Sequence, residues 1–157
     1  MELKPEIKKV LTEMNFIKRY EKLSDESRNK VTSDDADYIP IKRLIEIFNS
    51  FGYDAVYYKK EKFFKVGVVE KLPTYGIWFN IALHSGAVEL IWTAYHNNEV
   101  RLGSPWNMYP RLLISLDYRV EPPLYSTEFE LTQVLRVAFE MYEDFKARLI
   151  AEYEAMS

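Results

Sequence analysis

Alternation of apolar and polar positions is cleanest between Tyr75 and His96. A two-residue turn at Ser85-Gly86 sets Leu83 opposite Val88, Ile81 opposite Leu90, Phe79 opposite Trp92 and Ile77 opposite Ala94. One face of this hairpin is therefore apolar along its whole length, and a slip of one residue would bring Glu89 and Thr93 onto it. The same period-2 pattern predicts a hairpin from Tyr53–Lys59 and Lys62–Glu70 across Lys60-Glu61, pairing Tyr57 with Phe64, Ala55 with Val66 and Tyr53 with Val68. Sequential strands usually neighbour each other, so the expectation is an antiparallel sheet in chain order. Glu99–Leu102, after the Asn97-Asn98 turn, adds a short edge strand.

Helical spacing flanks the strands. Ile7, Val10, Leu11, Met14, Ile17 and Tyr20 predict one amphipathic helix over residues 5 to 23, opened by Pro5. Polar residues 24 to 37 read as a surface loop. Ile41, Leu44, Ile45, Phe48 and Phe51 predict a second helix over 38 to 51, capped by Asp37, with Pro40 in its first turn and Gly52 past its end. Gly103-Ser104-Pro105-Trp106 reads as a loop entering a helical turn, with Ser104 as cap and Pro105 at the first position; Arg111 to Asp117 fits helix or strand, with helix favoured; and Glu121-Pro122-Pro123 is held extended by its prolines. Thr127-Glu128-Phe129-Glu130 is a capping box. The apolar stripe from Leu131 to Tyr153 then runs for about 27 residues, or roughly 40 Å. The predicted fold class is α+β: a four- to five-stranded antiparallel sheet with N-terminal helices and a long C-terminal helix on one face, residues 1–157 forming a single domain.

If Phe79 and its row face the helices, then Trp78, Asn80, Ala82, Ile91, Thr93 and Tyr95 face away, joined by Val56, Tyr58, Phe63 and Val69. That outer face is too apolar for a wet sheet surface. Three explanations compete: cover from residues 103–123, a homodimer interface, or a docking surface for another protein.

Composition narrows the chemistry. A chain of 157 residues can bury a core without metals or disulfides, and with no cysteine it has neither thiolate nucleophiles nor thiolate zinc sites. The net charge of −3 disfavours nucleic acid and suits a basic protein partner. The aromatic and basic run Tyr57 to Lys65 is the one local pattern favouring single-stranded nucleic acid, and its register sends half of those rings to the core. No secretory signal and no membrane span are read from the pattern, so a cytoplasmic location is expected. His84 and His96 lie near opposite ends of the hairpin without metal-ligand spacing. His84 lies diagonally near Glu89, a pair able to do acid–base work in a cleft. The five glycines are too scattered for a phosphate cradle, and Glu140 with Asp144 sits among Arg136, Lys146 and Arg148 as a charged helix face. The expectation is a non-enzyme with no cofactor.

The segment Pro122-Pro123-Leu124-Tyr125-Ser126-Thr127-Glu128-Phe129-Glu130-Leu131, continued to Tyr142-Glu143-Asp144-Phe145, resembles small bacterial immunity proteins of polymorphic toxin systems. The resemblance covers about the last third of the chain and rests on style rather than on a motif. It implies an acidic, cytosolic α+β domain that binds a cognate toxin and occludes its active site; no residue role is carried over. Together with the outer face, it makes Trp78, Tyr95, Tyr58 and Trp106 the expected anchors, and Asp34, Asp35 and Asp37 the residues that steer a basic toxin domain. The alternatives are a small-ligand domain with its pocket at the concave sheet face and Trp106, a homo-oligomeric structural protein, and an enzyme built on His84 and Glu89.

Overall fold

The structure is a computed structural model that describes residues 2–156. Three N-terminal helices, α1 (Pro5–Glu13), α2 (Phe16–Lys30) and α3 (Ile41–Ser50), precede five strands. These are β1 (Ala55–Tyr58), β2 (Phe63–Lys71), β3 (Tyr75–His84), β4 (Ala87–His96) and β5 (Glu99–Leu102). A short α4 (Met108–Leu113) and the long α5 (Glu128–Ala155) complete the chain. The sheet is an antiparallel meander in the order β1-β2-β3-β4-β5. The predicted α+β fold is the observed one.

The central hairpin has the register its alternation dictates, from Leu83 opposite Val88 to Ile77 opposite Ala94. Its turn residues both have positive φ, 50° at Ser85 and 87° at Gly86, which matches the twist of a two-residue hairpin. Ile77, Phe79, Ile81, Val88, Leu90, Trp92 and Ala94 point into one core with α1, α2 and α5. There Trp92 stacks on Phe145 at 4.2 Å, and Phe16 meets Trp106 and Tyr109, each at 5.1 Å.

The first hairpin follows expectation only as far as Val66. Tyr57 faces Phe64 and Ala55 faces Val66, but the ladder slips between Val66 and Val69. Gly67 makes this bulge at φ 64°, a conformation glycine adopts without steric cost. A Cβ on Gly67 would lie 2.9 Å from Tyr53 Cδ1 and 3.0 Å from Tyr142 Cε2. The Tyr142 hydroxyl donates to the Gly67 carbonyl at 2.5 Å. The slip turns Val69 towards the core and leaves Val68 exposed, so the pairing of Tyr53 with Val68 and the outer placement of Val69 are both corrected.

The N-terminal helix is two helices. Asn15 takes the left-handed conformation at φ 57°, which polar Asn tolerates better than most residues, and α2 restarts with Phe16 fully buried. Arg19 holds the junction, donating to the Met14 carbonyl at 3.2 Å and to Asp144 of α5 at 2.6 Å. α2 then continues to Lys30 through residues whose polarity reads as loop. Those side chains bind the proline-held segment: Ser24 donates to Glu121 O, Arg28 donates to Pro122 O, and Ser27 Oγ accepts from Leu124 N–H. The loop proper is shorter, and α3 begins at Ile41 without the predicted Asp37 side-chain cap. The helix read over Arg111 to Asp117 instead lies earlier and ends at Leu113. The capping box of α5 is present, with Thr127 accepting from Glu130 N–H at 3.1 Å and Glu130 accepting from Thr127 N–H at 3.2 Å.

α1, β5 and α5 meet at a buried carboxylate. Glu6 is only 3% exposed. Its two oxygens accept from Arg101 Nε and Nη2, each at 2.8 Å, and Oε2 also accepts from the Tyr153 hydroxyl at 2.8 Å. Burial alone would raise the Glu6 pKa; these donors outweigh it and hold the carboxyl below its ordinary value.

Candidate docking surface

Strand alternation puts Trp78, Asn80, Ala82, Ile91, Thr93 and Tyr95 on the sheet face opposite the core. None of them belongs to the contiguous apolar core. Residues 103–123 do not cover this face. They meet the edge of β4 where Pro105 bridges Ile91, then send Trp106, Tyr109, Leu113 and Val120 to the core, and Leu124 just beyond them bridges Ala87. Trp78, Ile91 and Tyr95 are left half-buried, with Tyr58 and Val56 exposed beside them.

The aromatic side chains lie against one another. Trp78 and Tyr95 stack at 5.5 Å and 19°, and Tyr58 stacks on Phe63 at 5.0 Å and 17°. Lys65, opposite Asn80 on β2, places its Nζ 3.9 Å from the Trp78 ring centre. A cation over an exposed indole contributes roughly 0.5–1 kcal/mol, and an aromatic pair a similar amount beyond its buried area. Asn80 Nδ2 donates to Thr93 Oγ1 at 3.1 Å, while Asn80 Oδ1 is buried with no donor facing it.

The remaining expected site residues lie elsewhere. Trp106 is 1% exposed, enclosed by Phe16, Tyr20, Phe79 and Trp92, so it is a core residue and not an anchor. Its neighbours Ser104 and Pro105 read as a loop, but Trp106 N–H bonds to Leu90 O and carries the ring inward. Asp34, Asp35 and Asp37 are exposed, on a loop fixed by the bond from Asp37 N–H to Ser126 O. That loop abuts the Ser85-Gly86 turn, since a Cβ on Gly86 would lie 3.5 Å from Ala36 Cβ. Seven residues of β3 separate Trp78 from Ser85, about 23 Å at 3.3 Å per residue. The aspartates thus stand at one end of the sheet, apart from the Trp78–Tyr95 stack. Beside them is a side chain the helical reading hid: Tyr38, 86% exposed. The contact of Lys65 with Trp78 was also missed, although period 2 alone puts that lysine on the outer face.

The histidines do not converge. His84 Nε2 lies 3.1 Å from Glu89 Oε2 with both side chains open to solvent, whereas His96 stacks on Tyr153 at 4.3 Å at the other end of the hairpin. Asp144 is engaged by Arg19 and Arg148. No group of three or more His, Asp or Glu side chains able to hold a metal ion occurs among the described residues, and no helix there is long and apolar enough to cross a membrane.

No protein-family profile matches this chain, and neither a curated protein nor a solved structure is detectably similar to it.

Proposed function

We propose that this chain is a non-enzymatic protein-binding domain whose outer sheet face docks on a partner protein. The observation that carries the reading is the half-exposed stack of Trp78 and Tyr95, with Ile91 beside it, on a face that takes no part in the core. Interface energy concentrates in rigid aromatic anchors with apolar surroundings, and this stack is such an anchor. The partner we favour is a basic bacterial toxin domain, with the chain acting as its immunity protein in the cytoplasm and blocking its active site by occlusion. The acidic loop at Asp34, Asp35 and Asp37 then raises the encounter rate from the end of the sheet while the aromatic face supplies the affinity.

The test pairs the purified chain with the protein encoded next to its gene. Tight binding that weakens on Trp78→Ala, with the fold unchanged by circular dichroism, supports the reading. Equal affinity for both removes Trp78 from it. A homodimer through the same face is excluded or established by the mass in solution.

A second reading, a small-ligand domain, is favoured by one observation. A groove of about 320 Å³ lies between α2 and α5, walled by Leu23, Leu124, Phe129, Val134 and Val137. It sits away from Trp106 and from the sheet, unlike the pocket expected from the sequence, and its size is at the lower end for a ligand site.

A further inference from the structure

The edge of β4 is paired in pieces. β5 covers Ala94 to His96, Pro105 bridges Ile91, and Leu124 bridges Ala87. Between the last two bridges the chain leaves the edge to form α4 and returns only at Pro123. In the hairpin register, the N–H and C=O groups of Val88 and Leu90 point to this edge rather than to β3.

The covering segment makes only one of the two bonds to each of these residues. Val88 N–H donates to Pro123 O at 2.9 Å, but Pro123 has no N–H to return to the Val88 carbonyl. Leu90 O accepts from Trp106 N–H at 2.8 Å. The Trp106 carbonyl, which would complete that pair, accepts from Tyr109 N–H at 3.1 Å instead, and no acceptor for Leu90 N–H occurs in its place on this segment among the described residues. Val88 and Leu90 both line the wall of a recess at this point. The recess is about 290 Å³ and is walled also by Pro105, Trp106, Asn107 and Pro122. Trp106 adds an indole N–H that is also buried without an acceptor.

We propose that this interruption is a binding site for a small peptide-like diamide, one extended residue with an apolar side chain between two amide groups. The Val88 carbonyl takes that residue's N–H, Leu90 N–H takes its carbonyl, and the proline and tryptophan walls hold the apolar part. One extended residue presents its own N–H and C=O on the same side, which is the complement of the Val88 carbonyl and Leu90 N–H two residues apart on the strand. The site is distinct from the outer-face surface, and either can fail without the other.

The test follows backbone and indole nitrogen–proton signals while N-acetyl-leucinamide is added at millimolar concentration. The expected result is saturable movement of the Leu90 amide and Trp106 indole signals, absent with 3-methylbutanol, which has the apolar group without the amide. Pro123→Ala supplies the missing N–H to Val88 O and is expected to weaken the response at least severalfold while distant signals stay in place. Asn107→Trp, which fills the mouth from an exposed position, is expected to abolish it. No saturable movement, an equal response to the alcohol, or a full response in folded Asn107→Trp overturns the proposal.

Discussion

Replacing Glu6 by Gln removes one charge from the point where three elements join. In the native chain the carboxylate is 3% exposed and accepts two bonds from Arg101 and one from Tyr153. Glutamine keeps the size, but its one carbonyl oxygen cannot satisfy three donors, and its NH2 group faces them instead. Breaking a buried ion pair from one side costs about 3–5 kcal/mol. Arg101 retains Glu99 at 3.0 Å and its side chain is 20% exposed, so the lower figure of about 2–3 kcal/mol is appropriate here. With about 2.1 cal/mol/K of unfolding entropy per residue, a chain of 157 residues loses roughly 3 °C per kcal/mol, so the expected fall in Tm is about 6–9 °C. Because the Glu6 pKa lies below its unfolded value, its contribution is present above about pH 4.3 and is lost as pH falls through the folded value. Thermal melts from pH 7 down to pH 3 therefore show the two proteins converging in acid. A loss below about 1 kcal/mol at pH 7, or a constant difference at all pH, refutes the idea that this carboxylate braces the helices against β5.

Gly67→Ala places a β-carbon at φ 64° within 3.0 Å of two tyrosine rings; a loss of about 2–4 kcal/mol by urea denaturation is expected, and a neutral change contradicts the bulge geometry. Tyr142→Phe leaves the Gly67 carbonyl without its donor and is expected to lower stability by about 1–3 kcal/mol in the same assay. Glu130, hydrogen-bonded by Ser126 and then by Thr32 and Thr127, is held down to a pKa of about 2. Its contribution is present above the usual glutamate value and lost as pH falls towards 2, so Glu130→Gln flattens the acid limb of the stability curve; an unchanged limb contradicts the assignment.

Much of the fold was legible because alternation and turn chemistry agree. The central hairpin reads correctly since every cross-strand pair on one face is apolar and Ser85-Gly86 suits the turn. α5 reads correctly because a capping box and a long stripe coincide. The errors occur where tertiary partners override local pattern. Asn15 breaks a helix that the apolar spacing carries straight on from Met14 to Ile17 and Tyr20, and the break brings Phe16 into the core while Ile17 is only partly buried. Ser24, Ser27 and Arg28 look like loop residues, and their polarity is used on the backbone of Glu121 to Leu124. Gly67 inside a strand pattern is a bulge signal that the alternation alone overrode, and the rings that crowd it come from Tyr53 at the start of the hairpin and Tyr142 on α5. At the candidate surface the period-2 pattern correctly separates outer from inner residues on β3 and β4. It cannot place Trp106 or the aspartates, whose positions depend on where irregular segments meet the sheet.

The central claim is that the Trp78 face carries partner affinity. The direct measurement is the dissociation constant of the neighbouring gene's product for the native chain and for Trp78→Ala, by titration calorimetry at fixed salt. A central aromatic anchor contributes about 2 kcal/mol or more, so the account predicts a loss of roughly 30-fold or greater with an unchanged melting profile. Equal affinities, or a product that binds neither protein, contradict it.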